Sequence, residues 1–206
     1  MRKFRWLLMA PGLVTACLLF AQAKPATKAS AVRNTSYQAL GERILRHQVA
    51  VDATLEESWN AFTTAEGLRS FAVPVVEFEL KTGGKFHSNY RVGSKVGDPG
   101  TIYNTVLGYV PLRMMAFKIG LTDQFPAGPR EAGTLFAVVE FEPLSARKTR
   151  IVLAMLGWGT GPEWDQVYEK FDWGNAYTLE KLRERFLNGP VDWQKKELKV
   201  PAEEKR

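Results

Sequence analysis

One long amphipathic segment near the C-terminus constrains the fold more than any other feature. Pro162 opens it, and the tripeptide Asn-Gly-Pro at 188–190 closes it, as glycine and proline close helices. Large and mostly apolar side chains recur within it at helical spacing: Trp164, Tyr168, Phe171, Asn175, Leu179, Leu182 and Phe186. Such a helix must pack its apolar stripe against another element. Gly174 in its middle indicates either a bend or a close approach of another backbone.

A run of strands supplies a surface for that helix. Alternating apolar and polar residues predict seven strands, at about 43–53, 76–80, 86–90, 101–109, 114–119, 134–141 and 149–156. Short turns with glycine or proline, such as 82–85 and 98–100, join several of them. Neighbouring strands joined in this way form an antiparallel sheet. Residues 121–131, with two prolines, are predicted to be a long loop.

Two short helices are predicted after the first strand. Thr54 and Glu57 have the spacing of a capping box, in which each side chain bonds to the backbone of the other residue. A second Thr-x-x-Glu, from Thr63 to Glu66, predicts a new helix that runs to about Phe71. The element order is therefore β-α-α-β-β-β-β-β-β-α, and the predicted fold class is α+β.

The first 23 residues have the pattern of an export signal. A basic start precedes an apolar run from Trp6 to Phe20, and Ala21 and Ala23 supply the small residues before a signal peptidase site. The run is short for a membrane-spanning helix. Two alternatives stay open: lipidation of Cys17 within the lipoprotein-like string 14–17, which would attach the protein to a membrane, and an uncleaved anchor. All three interpretations predict an exported protein, periplasmic or secreted.

The predicted organisation follows from these patterns: a signal peptide at 1–23, a polar linker at 24–36, one domain at 37–190 and a charged tail at 191–206. The domain shows no internal repeat and no internal boundary.

Charge and composition exclude several classes of protein. Beyond the first 23 residues the balance is 25 basic against 22 acidic residues, which is too even for a nucleic-acid-binding surface. One cysteine permits no intramolecular disulfide and, with only two histidines, argues against a zinc site. We therefore expect no nucleic-acid partner, no metal and no cofactor.

Four strings carry a resemblance to a known superfamily. They are VDATLEESWNAF at 51–62, KTGGKF at 81–86, KTRIVL at 148–153 and LEKL at 179–182, and together they cover about 43–188. In this order they resemble the SRPBCC or START-like helix-grip superfamily. Within it they are most similar to bacterial proteins related to the C-terminal domain of the activator of the heat-shock-protein-90 ATPase. The resemblance implies a curved antiparallel sheet around the long helix, with an apolar cavity between them.

The resemblance implies no single activity, because the superfamily has no universal catalytic motif. Some relatives bind lipids or sterols, some cyclise polyketides and some are co-chaperones. An exported protein does not meet a cytosolic chaperone, so we do not expect that partner here.

Strand parity and the helix stripe predict which side chains face such a cavity. The candidate ligand-binding residues are Phe78, Phe86, Ser88, Tyr90, Asn104, Phe117, Met155, Trp164, Tyr168 and Phe171. For each of them, plain core packing is the alternative. A buried Asn104 is bonded either to its neighbours, which we favour, or to a ligand. His87 has the opposite parity and should face solvent, whereas His47 shares a face with Val49.

Three functions remain open. The first is an exported carrier or sensor that binds a small apolar or aromatic molecule. The second is an envelope interaction protein whose cavity is filled by its own side chains. The third is a cyclase- or hydratase-like enzyme, in which Tyr90 and Asn104 hold an oxygen and His87 acts as acid or base. An outward-facing His87 would weaken the third hypothesis.

Overall fold

The computed structural model describes residues 31–195. The strands are β1 Arg33–Asn34, β2 Tyr37–Ala39, β3 Glu42–Val51, β4 Val75–Phe78, β5 Lys85–Asn89, β6 Ile102–Val110, β7 Met114–Lys118, β8 Phe136–Ser145 and β9 Lys148–Leu156. The helices are α1 Leu55–Thr63, α2 Ala65–Arg69, α3 Ala127–Ala132 and α4 Pro162–Asn188.

The strands form one antiparallel sheet in the order β1-β3-β9-β8-β7-β6-β5-β4, and β2 pairs with β3 beside this path. The sheet curves around α4, so the predicted helix-grip fold and its class, α+β, are confirmed. The described chain has nine strands where seven were predicted. The additional two, β1 and β2, are short and hold to β3 through backbone hydrogen bonds, which side-chain alternation does not indicate.

The ordered domain begins earlier and ends later than the predicted boundaries. Arg33–Asn34 belongs to the sheet although it falls within the predicted linker. At the other end, the backbone N–H of Val191 donates to the carbonyl of Ser70 at 2.9 Å, and the indole N–H of Trp193 donates to that of Arg69 at 2.6 Å. The start of the predicted tail therefore lies against α2. The predicted signal peptide, Cys17 and the last eleven residues lie outside the described chain.

Helix α1 begins as its sequence predicts. The Thr54 hydroxyl accepts from the N–H of Glu57 at 3.1 Å, and the Glu57 carboxylate accepts from the N–H of Thr54 at 2.8 Å. The predicted cap of α2 is wrong by one residue. Thr64 caps it by accepting from Gly67, while the Thr63 hydroxyl donates to the carbonyl of Trp59 in the last turn of α1. Adjacent threonines make the two positions hard to separate from spacing alone.

The segment 121–131 is not a loop throughout, because residues 127–132 form α3. Pro126 stands at the N-cap and Pro129 in the first turn, where a missing backbone N–H breaks no helical hydrogen bond. Gly133, with a φ of 56°, ends the helix. The two prolines therefore belong to the start of a helix.

Helix α4 runs without interruption through Gly174, and its buried side chains are Val167, Asn175, Leu179 and Leu182. A Cβ placed on Gly174 would have no neighbour within 4 Å, so the close backbone approach expected there is absent. Within residues 31–195, no helix is both long enough and apolar enough to cross a membrane.

Candidate ligand-binding cavity

A cavity of about 1320 Å³ lies between the sheet and the middle of α4. Pockets that hold drug-sized molecules usually measure about 300–1000 Å³. The volume here is at least that large, so it is far larger than a packing defect. Helices α1 and α2 contribute Phe62 and Leu68 to its inner end. The loops 90–100 and 120–125 surround its mouth. The arrangement is a largely apolar chamber that is partly open to solvent.

The sheet wall is aromatic and aliphatic. Alternation along β5 turns Phe86 and Ser88 toward the cavity, and Phe117 on β7 packs edge-on against Phe86 with ring centroids 4.9 Å apart. Leu153 and Met155 of β9 continue this wall. An apolar molecule here would exchange water for close-packed carbon on this side.

The helix wall is formed by Phe171, Gly174, Asn175 and Thr178, whose spacing places them on one face of α4. Gly174 leaves this wall open at its centre, because no side chain projects there. The sequence pattern predicted Phe171 for the cavity and Asn175 for the buried stripe, but did not indicate that Gly174 faces an empty volume.

Aromatic side chains surround the mouth. Trp173 and Tyr177 stack with centroids 5.2 Å apart, and both are exposed, as is Tyr90 with 48% of its surface accessible. Desolvation by burial, with a smaller contribution from the charge of Tyr177, nevertheless raises the pKa of the Tyr90 phenol. Its hydroxyl is therefore a neutral donor at physiological pH.

Inside the cavity the polar groups differ in whether they are already bonded. Asn104 accepts a hydrogen bond from the N–H of Gly120 at 2.9 Å, so the neighbour-bonded interpretation is confirmed. Ser88 and Asn175 are buried, and their side chains make no hydrogen bond within the described chain.

Seven of the ten predicted site residues line the cavity: Phe86, Ser88, Tyr90, Asn104, Phe117, Met155 and Phe171. That they bind a ligand stays a prediction.

The other three predicted residues, Phe78, Trp164 and Tyr168, do not line the cavity, so their placement in its wall is wrong. Phe78 packs behind Phe86 with centroids 5.3 Å apart, and Tyr168 packs against Trp158 and the Arg43 guanidinium. Trp164 lies close against Gly159. For Trp164 and Tyr168 the physical reason is that the first turns of α4 lie over the β3 side of the sheet, while the cavity lies beside the middle of the helix.

Several cavity residues carry no sequence signal. Arg91, Val92 and Pro99 lie in one mouth loop, and Thr122 and Gln124 in the other. Trp193 reaches the mouth from beyond the predicted domain. Parity rules apply only within strands and helices, which is why these residues were missed.

The two histidines lie in different environments, and neither lines the cavity. His87 packs on the outer face of the sheet against Tyr103, with ring centroids 4.9 Å apart. This position removes the proposed acid or base from the enzyme hypothesis. His47 is 2% exposed, and its Nε2 lies 3.0 Å from the carboxylate of Asp172. With the ion pair of Arg43 and Asp165 at 2.6 Å, this contact holds α4 to β3.

Burial lowers the pKa of His47 from its ordinary value of 6.5, and the charge and hydrogen bond of Asp172 only partly oppose this effect. The unfolded chain therefore takes up a proton at a higher pH than the folded protein does. Stability that is present above pH 6.5 is lost as the pH falls through the folded pKa.

We therefore expect the free energy of unfolding, measured with urea, to fall between about pH 7.5 and about pH 5.5, and His47→Gln to flatten this dependence. The Glu57 carboxyl, whose pKa is lowered mainly by its hydrogen bonds to Thr54, titrates below this range. If the free energy of unfolding depended on pH equally in wild type and variant, the assignment to His47 would be contradicted.

Metal chemistry finds no support in the described residues, where no group of three or more His, Cys, Asp or Glu side chains could hold an ion.

Solved structures share this fold at low sequence identity. A protein from Mesorhizobium loti aligns with a TM-score of 0.56 at 16% identity, over 72% of this chain and 100% of that one. The Aha1 dimer from Colwellia psychrerythraea aligns with a TM-score of 0.53 at 14% identity, over 71% of this chain and 97% of that one. CalU16 from Micromonospora echinospora aligns with a TM-score of 0.54 at 15% identity, over 81% of this chain and 89% of that one. At these identities the likeness is one of fold alone. No curated protein sequence matches the chain significantly.

The family is shown by sequence. The family model described as activator of Hsp90 ATPase homolog 1-like protein matches residues 52–186, well over half of the chain. The match begins just before the capping box of α1 and ends in the last turns of α4, so it includes both walls of the cavity. The chain therefore belongs to the activator of Hsp90 ATPase homolog 1-like family, within the SRPBCC or START-like helix-grip superfamily.

Proposed function

We propose that this protein is an exported carrier or sensor that binds a small apolar or aromatic molecule between the sheet and α4. The observation that carries the proposal is the apolar cavity of about 1320 Å³, which its own side chains do not fill. Burial of apolar surface contributes roughly 25 cal/mol per Å², so such a chamber favours an apolar occupant over water. Ligand binding is also common in helix-grip proteins.

The proposed location rests on the sequence of the first 23 residues, with cleavage after Ala23, lipidation of Cys17 or an uncleaved anchor as its three forms. Export separates the protein from cytosolic chaperones, so the activity in the family's description is not part of the proposal. The near-even charge beyond the signal argues against nucleic acid as a partner.

The alternatives have less support. An interaction protein with a filled cavity does not account for the open volume. A cyclase- or hydratase-like enzyme loses the acid or base that was proposed for it, because His87 lies on the other face of the sheet.

Binding is tested by titrating the protein with 1-ethylpyrene and recording energy transfer from tryptophan, since Trp173 lines the cavity. We expect saturation at one probe per chain with a dissociation constant of about 10 μM or lower. Native mass spectrometry of protein purified from the cell envelope should show extra mass that is lost on denaturation. Absence of both signals from folded protein would contradict the proposed function.

A further inference from the structure

Two buried polar side chains of the described residues line the cavity without a hydrogen bond to a neighbour. Ser88 lies on the sheet wall with 5% of its surface exposed, and Asn175 lies on the helix wall with 7% exposed. Within residues 31–195 the Asn175 amide nitrogen is fully shielded and has no hydrogen-bond partner. A buried polar group that lacks a partner costs stability, so native proteins rarely keep one without a reason.

Other polar residues of the wall are bonded or less buried. The Asn104 carbonyl is occupied by Gly120, Thr178 is only partly buried, and Tyr90 lies at the mouth with 48% of its surface exposed. Ser88 offers both a donor and an acceptor. The Asn175 amide can turn by half a revolution about its last side-chain bond and present either its nitrogen or its oxygen. Hydrogen-bonding capacity is therefore concentrated on two facing walls.

The charge of the wall restricts the chemistry further. The charged residues that line the cavity are Arg91, Glu169 and Lys170, and all three are exposed at the mouth. No charged side chain in the described chain lines the interior beside Ser88 and Asn175. A buried carboxylate or ammonium group would have no counter-charge there, whereas a neutral oxygen needs only hydrogen bonds.

We propose that the ligand is an apolar molecule carrying one neutral oxygen, a ketone or an alcohol, which is held between Ser88 on β5 and Asn175 on α4. This inference rests on the proposed function and specifies its ligand class. Hydrocarbon contacts with Phe86, Phe117 and Leu153 hold the body of the ligand, while the two polar side chains select the oxygen.

The test compares 1-acetylpyrene with 1-ethylpyrene, which differ in shape only by a carbonyl in place of a methylene. Asn175→Leu and Ser88→Ala remove the two polar groups. We expect each variant to bind 1-acetylpyrene about tenfold more weakly than wild type and 1-ethylpyrene as well as before. Comparing each probe with itself across variants cancels the different hydration of the two probes.

Tyr103→Phe is the matched control, because it removes a hydroxyl from an exposed residue that does not line the cavity. It should change both affinities by less than about twofold. Urea unfolding should show that Asn175→Leu is at least as stable as wild type, since it removes an unpaired buried amide.

Different results overturn different claims. Equal weakening of both probes by Asn175→Leu and Ser88→Ala would show a packing role and overturn the selection of an oxygen. A selective loss of 1-acetylpyrene in Tyr90→Phe alone would move the selecting group to the mouth and overturn it as well. If neither pyrene probe binds folded wild type and native mass spectrometry shows no extra mass, the proposed function itself fails.

Discussion

Replacing Gly174 with tryptophan should nearly abolish binding of 1-ethylpyrene while the protein stays folded. Gly174 lies on the cavity face of α4 between Phe171 and Thr178, and a Cβ at this position meets nothing within 4 Å. An indole there projects into the volume that the ligand would occupy. If it takes about 100 Å² of apolar contact from the ligand, affinity falls by about 2.5 kcal/mol, or about 70-fold.

The folded state should not suffer from the same change. Glycine in a helix interior is about 1 kcal/mol less favourable than alanine, and the new ring buries apolar surface in an empty chamber. The melting temperature is therefore expected to stay equal or to rise. Gln166→Trp adds the same ring at an exposed position of α4 outside the cavity and should bind the probe as wild type does. Undiminished affinity in Gly174→Trp would place the binding site elsewhere.

Replacing Phe71 with alanine should lower the free energy of unfolding by about 3–5 kcal/mol. Phe71 is completely buried after α2, and its ring packs edge-on against Phe62 with centroids 5.2 Å apart. Removing it leaves a void in dense core packing, and Phe62, which lines the inner end of the cavity, loses its support. Urea denaturation monitored by circular dichroism measures the change.

The control for this substitution is Leu187→Ala on α4. Leu187 is 53% exposed, so its truncation should cost less than about 0.5 kcal/mol. A loss below about 1 kcal/mol in Phe71→Ala would contradict the close packing between α2 and the inner end of the cavity.

The parts of the fold that local rules govern could be predicted from the sequence. The Thr54–Glu57 capping box needs only residues three apart, and the alternation along β5 needs only its own side chains. The same rules identified Phe86 and Ser88 as facing one way and His87 the other. Long, regular elements therefore yielded both the order of the elements and much of the cavity wall.

The remainder depends on contacts between residues far apart in the sequence. Pairing of Arg33–Asn34 with β3 is a backbone interaction that a small polar composition conceals. Tyr168 contacts Arg43 and does not line the cavity. This placement depends on where along α4 the sheet curves away from the helix. The importance of Asn175 comes from a hydrogen bond it does not make, and a sequence pattern records side-chain types, not missing partners.

Among the described residues, Asp165 and Asp172 on one side of helix α4 contact Arg43 and His47 of β3 and hold the helix to the sheet. The opposite side of the helix faces the mouth loops, which form the margin of the chamber without belonging to the β ladder. Residues in those loops can therefore diverge between relatives without weakening the sheet. For the proposed function, this means that sequence changes at the mouth can alter which molecules enter without touching the strands that form the sheet.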